Sequence, residues 1–326
     1  MKSIKKGLLL LITVIVLTAV GGSAFGWIGG IVGFLLSLVI IIMANRASVL
    51  FILGQLRYNK DDHTGAYKLM KKAYDTTKLA PGFTLMYAYM MIRDGMLTEA
   101  ETVLNKVTYL NRRELTKEDL ALADINKSII MWKQDRLGEA IELLEDVYDN
   151  GMKSTTLYGT LGYFYILDNR IEKALEFNKE AYEYNSDNMI ITDNLALNYI
   201  LNSEFEKAEE LYKMLLDKNP AFIEPYYNYA LLLERRMQND EALEYYKKAL
   251  EYPEKYLSTI THKDVNDAID RLGGVAVAVE EDVVSEVAEV ADEAVEEIAE
   301  EVVTEDMSAE EEVDFEQDDA DDSSIS

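Results

Sequence analysis

Hydrophobic and polar residues are arranged in three different ways along this chain. From Gly7 to Ala44, 38 consecutive residues carry no charged side chain. From residue 46 to 272, apolar residues instead recur every three or four positions with charged ones between them, the spacing of amphipathic helices. Pro and Gly are scarce in that stretch, so it reads as helix after helix. Beyond Gly273-Gly274 the residues are mostly Val, Ala, Glu and Asp. Helical spacing survives there only along Val284, Val287, Ala291, Ala294, Ile298 and Val302.

As one helix, the uncharged stretch would run about 57 Å, nearly twice the roughly 30 Å of a hydrocarbon core. A break is expected within Gly21-Gly22-Ser23-Ala24-Phe25-Gly26, where glycine weakens the helix. Two spans result, about residues 7–25 and 27–44, within a membrane anchor covering residues 1–45. Gly26/Gly30 and Gly29/Gly33 are small residues four apart, a spacing that suits either a loop or close helix packing in lipid. Lys2, Lys5 and Lys6 precede the first span, and Arg46, Arg57 and Lys60 follow the second. The positive-inside rule then places both termini on the cytoplasmic side. The competing reading is a cleaved leader with Gly22-Ser23-Ala24 at the processing site, but the second apolar run would still anchor the chain.

Small residues punctuate the helical stretch. Ala66, Ala100, Ala140, Ala174, Ala208 and Ala242 are separated by 34, 40, 34, 34 and 34 residues. Tyr158-x2-Leu161-Gly162-x2-Tyr165 precedes one of these alanines; Leu195-Ala196-x2-Tyr199 and Tyr226-x2-Tyr229-Ala230 precede the next two. In this spacing and these motifs the chain resembles the tetratricopeptide repeat family, whose unit is a 34-residue helix–turn–helix. The resemblance covers roughly residues 47–254. It implies an all-α fold, a right-handed α-solenoid of five to six helix pairs over residues 46–272. Gly54, Ala66, Met70 and Ala73 make a marginal first repeat, and Asn178 departs from the pattern where an aromatic is usual. Tyr109–Lys117 carries the six-residue insertion. Thr116 is placed to cap the following helix, and Val265–Leu272 to cover the last repeat.

Charge sharpens this division. The chain has 32 Lys and Arg against 60 Asp and Glu, a formal net charge of −28. Residues 273–326 hold 22 of those acids and no base, and are expected to be a mostly disordered acidic tail. Residues 45–272, with 29 basic and 38 acidic residues, still carry −9. Such a body offers no positive surface to nucleic acid. The chain has no Cys and only two His, so thiolate and multi-histidine metal sites are excluded. His63 and His262 read as solvated, at a repeat turn and at the start of the last helix. No phosphate loop, zinc motif or nucleophile elbow is present. The chain reads as a non-enzyme with no cofactor and no small-molecule substrate.

The resemblance also implies that the first helix of each repeat lines a concave face that binds a protein or peptide segment. That face would receive Tyr89, Ile129, Trp132, Tyr163, Ile166, Ile200, Tyr227, Asn228, Leu231 and Glu234. Several of these aromatics fit equally well as filler between adjacent helices. Family members that grip a peptide carboxylate use Lys, Arg and Asn on these helices. Asn126, Asn194 and Asn228 occupy one such position, but the basic partners are missing. A membrane-anchored interaction scaffold is the leading expectation, with lipid contacted through residues 7–44 and a protein or peptide partner. A second reading makes the acidic tail the working part of a structural or regulatory membrane component. A third is an enzyme with an unrecognised site.

Overall fold

A computed structural model describes residues 2–76, 79–110 and 115–273, with side chains from residue 12 onward. The acidic tail after Gly273 lies outside the described residues, as does part of the insertion at 111–114. Among the described residues there are fourteen helices and no strand. They fall into two units, residues 1–83 and residues 84–273, each taken by itself.

The first unit opens with α1 (Lys2–Ala44). Residues 12–44 of this helix are long and apolar enough to cross a membrane. It is interrupted at Phe25 (φ −134°, ψ 19°) and Gly26 (φ 66°, ψ −156°), the latter a backbone state confined essentially to glycine. The chain reverses there. A Cβ on Gly21 would collide with the Gly29 carbonyl oxygen, and one on Gly33 would collide with that of Leu17. In a straight helix Leu17 and Gly33 would be about 24 Å apart. The turn is thus narrower than the Gly21–Gly26 stretch expected from composition, and Gly21 and Gly22 stay helical. Gly26 has nothing within 4 Å of its Cβ position, so it serves the turn and not packing, whereas Gly29 and Gly33 lie against the facing segment. Large apolar residues such as Ile15, Val16, Ile28 and Leu35 point outward from the reversed pair.

The same unit holds α2 (Arg46–Tyr58) and α3 (His63–Asp75). This hairpin is the first repeat, marginal in sequence. Met70 fills the space beside Gly54, and Asp62 caps α3 by accepting the Gly65 N–H at 2.8 Å. His63 is only partly solvated, its ring 4.4 Å from that of Tyr58.

The second unit continues in helix pairs. These are α4 (Pro81–Arg93) and α5 (Leu97–Leu110), α6 (Lys117–Lys133) and α7 (Leu137–Asp149), then α8 (Thr155–Leu167) and α9 (Ile171–Tyr184). There follow α10 (Met189–Leu201) and α11 (Phe205–Leu216), α12 (Glu224–Arg235) and α13 (Asn239–Ala249), and the single helix α14 (His262–Arg271). Helix α6 is longer than the other first helices, and the Thr116 hydroxyl and Asp119 carboxylate form the expected capping box at its start. Each second helix buries its alanine completely: Ala100, Ala140, Ala174, Ala208 and Ala242 are all 0% exposed. On the first helices Ala88, Ser128, Ala196 and Ala230 are equally buried, with Gly162 in register. Small side chains on both partners let two helices approach closely while Tyr, Leu and Phe fill the flanks. Val265, Ala268 and Ile269 of α14 close the final core layer, and the helix itself starts at His262.

The repeat is also written in the backbone. Asp61, Gly95, Asp135, Asn169, Ser203 and Met237 all have φ between 50° and 80°, one at each hairpin turn. The next residue in each turn donates its N–H to a carbonyl five positions earlier, from Asp62→Arg57 at 3.2 Å to Gln238→Leu233 at 2.9 Å. This left-handed cap ends the first helix in every pair.

Candidate peptide-binding groove

The first helices of the second unit are joined edge to edge by asparagines. Asn126 on α6 donates to the Leu85 carbonyl of α4 at 3.0 Å, and Asn194 on α10 donates to the Gly159 carbonyl of α8 at 2.9 Å. Asn228 on α12 donates to the Asp193 carboxylate of α10 at 3.2 Å. All three asparagines are buried. Each of these amides thus gives one donor to a neighbouring helix. That bond ties adjacent first helices together along the groove.

Along this row of helices lies a cavity of about 340 Å³. Its apolar wall comes from separate helices: Tyr89 from α4, Ile129 and Trp132 from α6, Tyr163 and Phe164 from α8. The Trp132 and Phe164 rings lie 5.5 Å apart, and the Lys133 ammonium sits 4.3 Å from the Trp132 ring centre. Asn194 lines the cavity despite its commitment to Gly159. The structure does not bring the remaining sequence candidates here. Ile200 is 2% exposed within the core, and Tyr227 packs on the Tyr246 ring at 5.2 Å. Ile166 and Leu231 are half-buried away from the cavity. Glu234 accepts hydrogen bonds from Tyr246 and Arg271.

The polar side of the cavity went unread in the sequence. Asp193 and Glu224 line it, as do Thr155, Thr156 and, from the segment between α13 and α14, Leu257 and Thr259. Asp193 is 6% exposed and accepts from both the Tyr212 hydroxyl at 3.1 Å and Asn228. Burial pushes its carboxyl up to about 7, with repulsion from Glu224 adding and the two hydrogen bonds opposing. The same burial pushes the Tyr163 hydroxyl up and Lys133 down, the latter offset by attraction to Glu224. A signal existed for Asp193. One repeat earlier and one later its register position holds Gly159 and Tyr227, so an acid there breaks an uncharged series.

The α12–α13 pair identifies the repeat. Residues 223–256 match the tetratricopeptide repeat. The other pairs share its turn. No curated protein sequence matches the chain. Among solved structures, the chain is similar to TTC0263, a thermophilic tetratricopeptide repeat protein of Thermus thermophilus, at 22% identity and a TM-score of 0.45. The similarity covers 60% of this chain and 97% of that one. YrrB, described as a tetratricopeptide repeat protein with an unusual peptide-binding site, is 18% identical over 56% of this chain and 90% of its own, with a TM-score of 0.39. The pilF protein of Pseudomonas aeruginosa is 14% identical over 59% and 84%, with a TM-score of 0.44.

Proposed function

We propose that this protein is a membrane-anchored interaction scaffold, whose tetratricopeptide repeats hold an extended protein segment in the groove of the first helices. The observation that carries this reading is the cavity itself. Its walls are aromatic and aliphatic side chains from three successive first helices, and its floor carries the two carboxylates Asp193 and Glu224. Such a surface suits an apolar or basic-apolar segment, in keeping with the body's charge of −9. In this reading α1 is a two-span hairpin with its turn at Phe25–Gly26 and its basic flanks in the cytoplasm. The anchor raises the partner's effective concentration near other membrane proteins.

The test is capture of partners from membrane extract by the solubilised full chain, followed by mass spectrometry. Trp132→Ala and Tyr163→Ala should each weaken capture by about 1–2 kcal/mol or more. Deleting residues 274–326 should leave it intact. Capture that survives both groove changes and disappears with the tail would transfer the function to the tail.

A further inference from the structure

The groove is not empty. Between α13 and α14 the chain leaves helical structure and runs back along the first helices. It starts at Tyr252, whose ring stacks on Tyr226 at 4.7 Å with the two hydroxyls 2.8 Å apart. The Tyr256 ring then reaches the α4–α5 turn, with Cδ2 3.0 Å from the Cβ position of Gly95. The Lys133 ammonium lies 5.1 Å from the same ring, so it sits between Tyr256 and Trp132. Leu257 and Thr259 form part of the cavity lining. The Thr259 N–H donates to Glu224 Oε1 at 3.0 Å, and Thr259 and Tyr163 line the same cavity. The segment finally enters α14 through the Thr261 capping box, with His262 Nε2 2.8 Å from the Tyr252 carbonyl.

These are the contacts of a bound peptide. An aromatic ring is held at one end, an aliphatic residue closes part of the cavity wall, and a backbone N–H is paired to a carboxylate. We propose that residues 252–261 are a resident strap in the concave groove. The partner enters as an extended segment of like chemistry, an aromatic–aliphatic pair followed by a hydroxyl residue, and lifts the strap away. This inference rests on the groove reading above and adds the partner's chemistry and the step that admits it.

Both halves of the proposal follow from the geometry. The strap takes Glu224 through the Thr259 N–H and lines the same cavity as Trp132 and Tyr163, so strap and partner compete for one surface. The strap's hold is also weak enough to release. Tyr256 is 42% exposed, and the strap's hydrogen bonds to the first helices rest on the Thr259 N–H to Glu224 and the Tyr252–Tyr226 hydroxyl pair. Tethering compensates, since a short linker corresponds to an effective concentration in the millimolar range.

The test replaces residues 253–260 with a Gly-Ser linker of equal length, keeping α14 in place. The probe is a synthetic peptide of residues 251–262 added to the detergent-solubilised full chain. Trp132 fluorescence reports binding in a Trp27→Phe background, with peptide titrated into the millimolar range. The linker variant should bind saturably, and the strapped chain at least ten-fold more weakly. A linker variant with the helical signal and melt of the parent but no peptide binding overturns the proposal, as does equal binding by both chains. If the linker variant does not fold, Tyr256→Ala with Leu257→Ser takes its place, and unchanged peptide affinity in that chain overturns the proposal. Failure of the groove reading looks different. There, partner capture from membrane extract would be indifferent to Trp132→Ala and Tyr163→Ala whatever the state of the strap.

Discussion

Gly162 and Asn178 stand in the same relation as Gly54 and Met70, sixteen residues apart. In each pair the later side chain fills the space that a Cβ on the glycine would need. The Gly162 Cβ position falls against Asn178 Oδ1, and that of Gly54 is 2.7 Å from Met70 Cγ. Asn178, fully buried, donates to Asn198 Oδ1 at 2.5 Å. The departure from an aromatic at this position is therefore a local solution built from Gly162, Asn178 and Asn198 together.

Gly162→Ala should consequently destabilise the repeats by about 1–3 kcal/mol through overpacking. Urea unfolding followed by circular dichroism measures this. Asn178→Ala in the same chain should recover part of the loss, since the two changes share one space. Additive losses would mean that the helices do not meet there.

Met237 occupies the left-handed turn position that Gly95 fills four repeats earlier, with φ 62° and 83% of its surface exposed. A side chain in that conformation costs about 1–2 kcal/mol. The added freedom of glycine in the unfolded chain offsets part of any gain. Met237→Gly should thus stabilise the protein by about 0.5–1 kcal/mol. A lower melting temperature would place the turn elsewhere.

Asp193 sets a pH dependence. Its carboxyl stands at about 7 in the folded protein, above about 3.9 in an unfolded chain. Between these values the folded state holds a proton that the unfolded state gives up. Its contribution to stability is therefore greatest below about pH 4, falls as pH rises toward 7, and is level above. In Asp193→Asn the amide oxygen can still accept from Tyr212 and Asn228, which both reach Oδ1. That variant should lose this slope and melt higher than the parent at pH 8. Comparing the two chains isolates the one group that differs between them. Parallel melting curves from pH 5 to 8 would contradict a buried Asp193.

The proposed topology is open to a clean labelling experiment, because the chain has no cysteine. Phe25, at the reversal, is 79% exposed. A cysteine there should react with an impermeant maleimide added outside intact cells. A cysteine at Thr64, in the first repeat, should react only after lysis. The opposite pattern would reverse the orientation, and labelling at both sites would remove the anchor reading.

The repeats were legible because their packing demands one residue class. Where two helices cross closely only Gly, Ala or Ser fits, and those identities recur at a fixed interval. The turns between them were not legible, since Asp61, Gly95, Asp135, Asn169, Ser203 and Met237 share a conformation and no chemistry. That Asn126, Asn194 and Asn228 each reach a neighbouring helix was not legible, because a sequence does not reveal which helix lies beside them. The strap was invisible for a related reason. Residues 251–261 carry no periodic pattern, and their partners at Gly95 and Lys133 lie far away along the chain.

That distance bears on the order of events as the chain is made. Each helix pair closes, and docks on the pair before it, through contacts a few dozen residues apart at most, such as Gly162 with Asn178 and Asn194 with Gly159. Pairs of this kind can form one after another as they emerge from the ribosome. Tyr256 must instead find Gly95, 161 residues earlier, and can do so only once every intervening pair exists. The nascent protein therefore passes through an interval with the apolar wall of its groove, Tyr89 to Phe164, built and its strap not yet synthesised. A partner already waiting at the membrane would meet an unobstructed groove in that interval, whereas one arriving later must compete with the strap.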